Sequence, residues 1–189
     1  KNITLRIYNH FYFYFSLLFN CRKFGKPDIV SVVSALPFSF LTYIVTKKLN
    51  AKLVTDVLDL WPESFVSFGY LKKNSLILKL LYKIEQWIYS KSNAIIFSME
   101  GGKDYIIEKK WHKSKVFNVP LNKCFYINNG IDFSEFNYFK NKYKSPLESH
   151  INSFVVTYVG SIRKANNLML LIKAAENLKD LPHVVFHIY

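Results

Sequence analysis

Beyond Pro27 the chain alternates short apolar runs with longer amphipathic ones. DIVSVV, Asp28 to Val33, predicts a strand. LPFSFLTYIVTKKL then predicts a helix, with Pro37 at its start and Lys47 and Lys48 in its last turn. AKLVTDV (Ala51 to Val57) and NAIIFS (Asn93 to Ser98) predict two more strands. Between them, SLILKLLYKIEQWIYSKS places Ile77, Leu80, Leu81, Ile84, Trp87 and Ile88 on one face and turns Lys79, Lys83 and Gln86 away, a helical period. A further helix is expected from about Gly102 to Lys110, and a short strand from Cys124 that stops at Asn-Asn-Gly. FSEFNYFKNKYKSPLESHINS has no clean period and contains Pro146, so it reads as a linker. After it the pattern restarts: strand SFVVTYV, turn GSIRKAN, helix NLMLLIKAAENLKD, strand HVVFHIY. Repeated strand–helix units imply right-handed crossovers and parallel sheets covered on both faces. The expected class is α/β, with one unit over 1–132, a linker over 133–152 and a second unit over 153–189 that stops after its second strand.

Half of the 189 residues are apolar, enough to bury a core. The net charge of +13 implies attraction to something anionic, although the abundance of Lys, Asn, Ile, Phe and Tyr is also what an AT-rich genome produces. Nucleic acid is not the expected partner: no recognition motif appears and the basic residues are dispersed. Cys21 and Cys124 stand far apart, so neither a disulfide framework nor a zinc site is indicated and a reducing cytoplasm fits. The five histidines show no ligand spacing, and no metal is expected. Near the start, FYFYFSLLF (Phe11 to Phe19) is too short to span a bilayer, which takes about 20 residues, and lacks a signal-peptide cleavage pattern. It reads as a core or membrane-surface helix.

Ligands of open parallel sheets bind beyond the carboxyl ends of the strands. That rule selects Ser34–Phe38, Asp59–Ser64, Ser98–Gly102 and Gly160–Asn166. In the last of these, YVGSIRKANNL, Gly160 allows the backbone to turn close to a ligand, and the next helix N-terminus favours an anion. Arg163 and Lys164 add positive charge, and Arg163 is one of only three arginines. A diphosphate suits such a loop; a solvated basic turn is the plain alternative. Neither the dinucleotide fingerprint nor the Walker lysine motif is present. DVLDLWPES offers Asp56, Asp59 and Glu63, for acid–base work, a metal, or a turn cap at Asp59, with Trp61 as a core or wall residue. SMEGG offers Glu100 and Gly101, for a ligand loop or an ordinary helix start.

Taken in order, KPDIVSVVS, LVTDVLDLWPES, LILKLLYKIEQWIYSKSNAIIFS, YINNGID and VVTYVGSIRKANNLMLLIKAAENL resemble the family-four glycosyltransferases of bacterial polysaccharide synthesis, from about Lys26 to Tyr189. The resemblance implies a GT-B architecture of two Rossmann-like domains, with the acceptor on the N-terminal side and a nucleotide-sugar donor held mainly by the C-terminal one. It implies a retaining, metal-independent hexosyltransferase without a cofactor, using a UDP-sugar and a lipid-linked saccharide acceptor. The enzyme would sit peripherally on the anionic inner face of the cell membrane, in capsule, O-antigen or exopolysaccharide assembly.

By position, Gly160 and Ser161 match the turn that faces the donor diphosphate, and Arg163 and Lys164 match the loop whose cations stabilise charge on the departing nucleotide. Asn166 stands where a lysine often precedes Gly-Leu, and Asn129 and Gly130 match the approach to the interdomain hinge. DLWP matches the first domain's cleft-facing loop; with it Asp59 is a catalytic candidate, and Trp61 and Glu63, together with Glu100 and Gly101 at the next strand end, are candidates for the acceptor and cleft loops. The pattern departs at Leu58, where relatives carry histidine or arginine. The family's later glycine-rich loop and paired glutamates are not reached before Tyr189, and Lys1 is not a methionine, so a fragment is expected. The rival expectation is a truncated, non-catalytic protein that binds a membrane or a partner.

Overall fold

The computed structural model describes residues 3–33, 40–143, 152–163 and 166–189. Lys164, the loop Ser34–Phe38 with Pro37, and Pro146 lie outside the described residues. The chain forms two compact units, Lys1–Asn129 and Gly130–Tyr189.

The first unit is built on four parallel strands, β1 (Ile29–Val33), β2 (Lys52–Val57), β3 (Ala94–Phe97) and β4 (Cys124–Tyr126), adjacent in that order. Its helices are α1 (Ile3–Asn20), α2 (Phe40–Leu49), α3 (Glu63–Ser67), α4 (Leu76–Lys91) and α5 (Gly102–Glu108). Lateral pairing aligns Val32, Thr55, Ile95 and Cys124 in one row across the sheet, and all four are buried. Val32, Ile95 and Cys124 meet Ile88, Tyr89, Tyr105, Ile106 and Trp111 in one core. Side chains alternate faces along a strand, so the next row, Val33, Asp56, Ile96 and Phe125, points the other way. Val33 and Phe125 are exposed there and Asp56 and Ile96 only half-buried.

This corrects the expectation of a sheet covered on both faces. Strands added one after another in a single direction, with right-handed crossovers, put every connecting helix on the same side. Among the described residues the opposite face stays open.

The helix α4 keeps its expected face at Leu81, Ile84 and Trp87, which are half-buried, and at Ile88, which is buried, but departs from it near its start. Ser75 caps α4, accepting from the Leu78 amide at 3.2 Å. Its buried positions are Leu78, Glu85, Ile88 and Tyr89, whereas Ile77 and Leu80 are 62% and 59% exposed. Lys79 and Lys83 are exposed as expected, while Gln86 is half-buried and donates to the Phe117 carbonyl at 2.9 Å. At the other end, Lys123 Nζ donates to the carbonyls of Tyr89, Ser90 and Ser92 at 2.8, 3.0 and 2.9 Å. A cation suits that end, where carbonyls lack partners and the helix dipole is negative.

The second unit comprises α6 (Phe133–Lys142), β5 (Phe154–Tyr158), α7 (Leu168–Asn177) and β6 (Val184–Ile188), with β5 and β6 parallel and in register from Phe154↔Val184 to Tyr158↔Ile188. The helix α6 lies in the segment read as an irregular linker. Asp132 caps it, accepting from the Ser134 and Glu135 amides at 2.8 and 3.1 Å, and no α6 residue is buried. Phe133, Phe136 and Phe139 share one side of the helix, yet all three are exposed.

Candidate functional site

The chemistry-bearing residues fall at the carboxyl ends of strands in both units. In the first, β2 runs into Leu58, exposed Asp59 and buried Trp61 before α3 begins at Glu63. Trp61 packs edge-on against Phe65, with ring centroids 6.1 Å apart, so it is a wall residue. The β3 end is tied alongside: the Ser98 amide donates to the Val57 carbonyl at 3.2 Å, and Ser98 Oγ to the carbonyls of Val57 and Leu58 at 3.3 Å each.

Glu63 is already partnered. Its Oε2 accepts from Lys109 Nζ at 2.8 Å and from the Tyr82 hydroxyl, and Lys109 sits 3.9 Å from the Tyr82 ring centroid. Burial alone would raise the Glu63 carboxyl, but Lys109 and Tyr82 outweigh it and hold the group below its ordinary range. The same set of contacts joins α3, α4 and the residue after α5.

Glu100 is exposed and lines a pocket of about 300 Å³ with Met99, Lys103, Asp104, Phe125 and Tyr126. Gly101 opens α5 with free space around it. The constrained glycine is its neighbour: a Cβ on Gly102 would lie 2.1 Å from Phe97 Cγ. The sequence signal is the pair itself, in which the second glycine lets the helix start against the strand it follows.

A buried acid escaped the sequence reading. Glu85 is 2% exposed and accepts from the Tyr89 hydroxyl at 2.9 Å and the Tyr105 hydroxyl at 2.8 Å. Burial pushes its carboxyl up to about 8, only partly opposed by the two tyrosines. A lone Glu among helical lysines looks like a surface residue, and only its spacing from Tyr89 hints otherwise.

In the second unit, the Gly160–Asn166 loop follows β5. A Cβ on Gly160 would lie 2.9 Å from the Tyr158 hydroxyl oxygen. That hydroxyl donates to the Ser161 carbonyl at 2.9 Å, and Asn166 Nδ2 donates to the same carbonyl at 2.7 Å and to the hydroxyl at 2.6 Å. Asn166 therefore closes the loop upon itself, and its amide nitrogen also donates to the Arg163 carbonyl at 3.0 Å. Arg163 is exposed. The Gly160 amide donates to the Tyr189 carbonyl at 3.2 Å, joining the ends of β5 and β6. Asn167 adopts the left-handed conformation, with φ of 47°, just before α7.

Thus Gly160, Ser161, Arg163 and Asn166 share one loop, while Asp59, Trp61 and Glu63 share another. Among the described residues there is no group of three or more histidine, cysteine, aspartate or glutamate side chains able to hold a metal ion. Compared with known proteins, the chain matches no protein-family model and no curated protein.

Proposed function

We propose that the protein transfers a sugar from a UDP-sugar to a lipid-linked saccharide acceptor at the inner face of the cell membrane, as a GT-B glycosyltransferase of surface polysaccharide synthesis. The observation that carries the reading is the Gly160–Asn166 loop at the carboxyl end of a parallel strand, closed by Asn166 and Tyr158 with Arg163 exposed on it. Strand ends of this kind are where open α/β sheets hold nucleotides. No described helix is long and apolar enough to cross a membrane, which fits a peripheral location.

In this mechanism the bond between the sugar's anomeric carbon and the donor phosphate oxygen breaks, the acceptor hydroxyl oxygen bonds to that carbon, and the hydroxyl proton passes to an oxygen of the departing phosphate. Negative charge grows on the departing UDP. The Arg163 guanidinium, with Lys164 next to it in sequence, is aimed at that charge and can pair with phosphate oxygens in a fork. Preorganised cations of this sort lower the barrier directly, typically by a factor of about 10² to 10³ for one donor group. The internal hydrogen bonds of the loop keep the Ser161 carbonyl occupied and so leave its exposed surface to donors. Asp59, in the first unit, is a separate catalytic candidate that rests on the family resemblance. The proposed transfer is metal-independent, with retention at the anomeric carbon.

Calorimetric titration of UDP, GDP and UDP-sugars into wild type and Arg163→Ala tests the reading. UDP binding weakened roughly tenfold or more in the variant supports it. Equal binding by both proteins, or none by wild type, counts against the donor role. A second reading, a non-catalytic protein that binds a membrane or a partner, draws on the aromatic surface of α1; turnover of a UDP-sugar separates the two.

A further inference from the structure

The helix α1 is divided lengthwise. Tyr14, Leu17, Leu18 and Cys21 form a continuous packed edge, with Tyr14 and Cys21 buried at 4% and 1% exposure. Roughly a third of a turn round, Tyr8, Tyr12, Phe15 and Phe19 make a stripe at helical spacing that is 62%, 66%, 48% and 80% exposed. Isolated exposed apolar residues are ordinary, but a contiguous aromatic stripe is not.

Charge lies beside that stripe. The α1 C-terminus ends in a 3-10 turn, Cys21–Phe24, that carries Arg22 and Lys23. Lys48, from the last turn of α2, donates to the Leu18 carbonyl at 3.0 Å and stands 5.9 Å from the Phe19 ring centroid. Arg22, Lys48, Phe19, Leu18 and Cys21 line a pocket of about 240 Å³. Between Ile3 and Thr55 the only acidic residue is Asp28.

We propose that this face of the first unit is a membrane-docking surface for anionic phospholipid: the stripe lies in the boundary between headgroups and acyl chains, and Arg22 and Lys48 receive a lipid phosphate beside Phe19. The proposal deepens the membrane location in the proposed function but does not require transferase activity. Three features select this occupant. The aromatic rings suit the interfacial zone, where one edge meets hydrocarbon and the other water. The cations sit at one end of the stripe, where the headgroup layer would meet them. The scarcity of acids along this stretch of the chain limits local repulsion by an anionic leaflet. A second copy of the chain would instead bring the same cations together at the interface.

Co-sedimentation with phosphatidylcholine vesicles, with and without phosphatidylglycerol, tests this. Binding to the anionic vesicles that falls with salt is expected. Arg22→Glu should weaken it by about fivefold or more, as for loss of one surface cation with repulsion added. Phe19→Ser should weaken it by about tenfold, as for one aromatic ring withdrawn from the interface. Lys48→Met keeps the apolar stem while removing the charge, and circular dichroism checks that each variant folds. Equal binding to neutral and anionic vesicles overturns the headgroup pocket. Unchanged binding by the double variant Phe19→Ser, Arg22→Glu overturns the surface. Light scattering that shows a dimer dissociated by Tyr12→Ser, without vesicle binding by wild type, assigns the stripe to a second copy and also overturns it. UDP titration of wild type keeps the outcomes apart: no vesicle binding with intact UDP binding refutes the membrane face alone, and the converse refutes the donor site alone.

Discussion

The two units use the same strand–helix–strand grammar with different degrees of burial. In the first, Leu53, Val57, Ile95, Phe97 and Val119 are at or below 1% exposure, and the row from Val32 to Cys124 crosses the whole sheet. In the second, β5 and β6 pair in register over five residues, yet no described residue is buried. Two strands and one helix face enclose too little apolar surface for a dry interior. The difference teaches that the candidate donor loop is held by its own hydrogen bonds, whereas the loops after β2 and β3 are held by the core beneath them.

The most forceful way to test that contrast is to cut into each sheet. Ile95→Ala removes a fully buried side chain and should cost about 2–5 kcal/mol in denaturant unfolding, whereas Val156→Ala in half-buried β5 should cost about 1 kcal/mol or less. Comparable losses would erase the distinction. Amide exchange should likewise be slower in β2 and β3 than in β5 and β6.

Next in size is the buried acid. The Glu85 carboxyl titrates higher in the fold than in the unfolded chain, so its contribution is fully present in acid and is lost as pH rises from about 4.3 towards 8. The loss should be on the order of 5 kcal/mol across that window, and Glu85→Gln should flatten it. A stability profile equally steep in wild type and variant would place the titration elsewhere.

A smaller effect is expected at the glycine pair. Gly102→Ala drives a Cβ into Phe97 and should cost about 1–3 kcal/mol in thermal unfolding, while Gly101→Ala, with open space around it, should be near neutral. Smallest is the Glu63–Lys109 pair. Both side chains are partly exposed, at 33% and 27%, so Lys109→Met should cost under about 1 kcal/mol. Glu63 is held low, so this contribution is present at neutral pH and lost as pH falls through its lowered titration. A double-mutant cycle measures it directly.

Most elements could be read in the chain because their cues are local. Strands β1 to β3, the start of α4 at Ser75 and the β5–turn–α7–β6 restart each follow from runs of apolar residues and their punctuation. The helix α6 was missed although Asp132 and Glu135 carry a capping signature and Phe133, Phe136 and Phe139 recur at helical spacing, because the interleaved Tyr138 and the nearby Pro146 argued for a linker. On α4, counting apolar residues selected Ile77 and Leu80, which are exposed, and passed over Glu85, which is buried. A carboxylate counts as polar wherever it stands, and only neighbours can make its burial acceptable.

By itself, then, the sequence determined the α/β class, the parallel pairing implied by long crossovers, and the grouping of Gly160, Ser161, Arg163 and Asn166 within one turn. Those depend on interactions between residues a few positions apart, or on the handedness of the chain. Tertiary structure decided which sheet face is covered, which of two adjacent glycines is indispensable, and that Glu63 pairs with Lys109 and Glu85 with two tyrosines. Those outcomes depend on residues 4 to 46 positions apart meeting in space, where packing and desolvation set the energy and no local pattern records it.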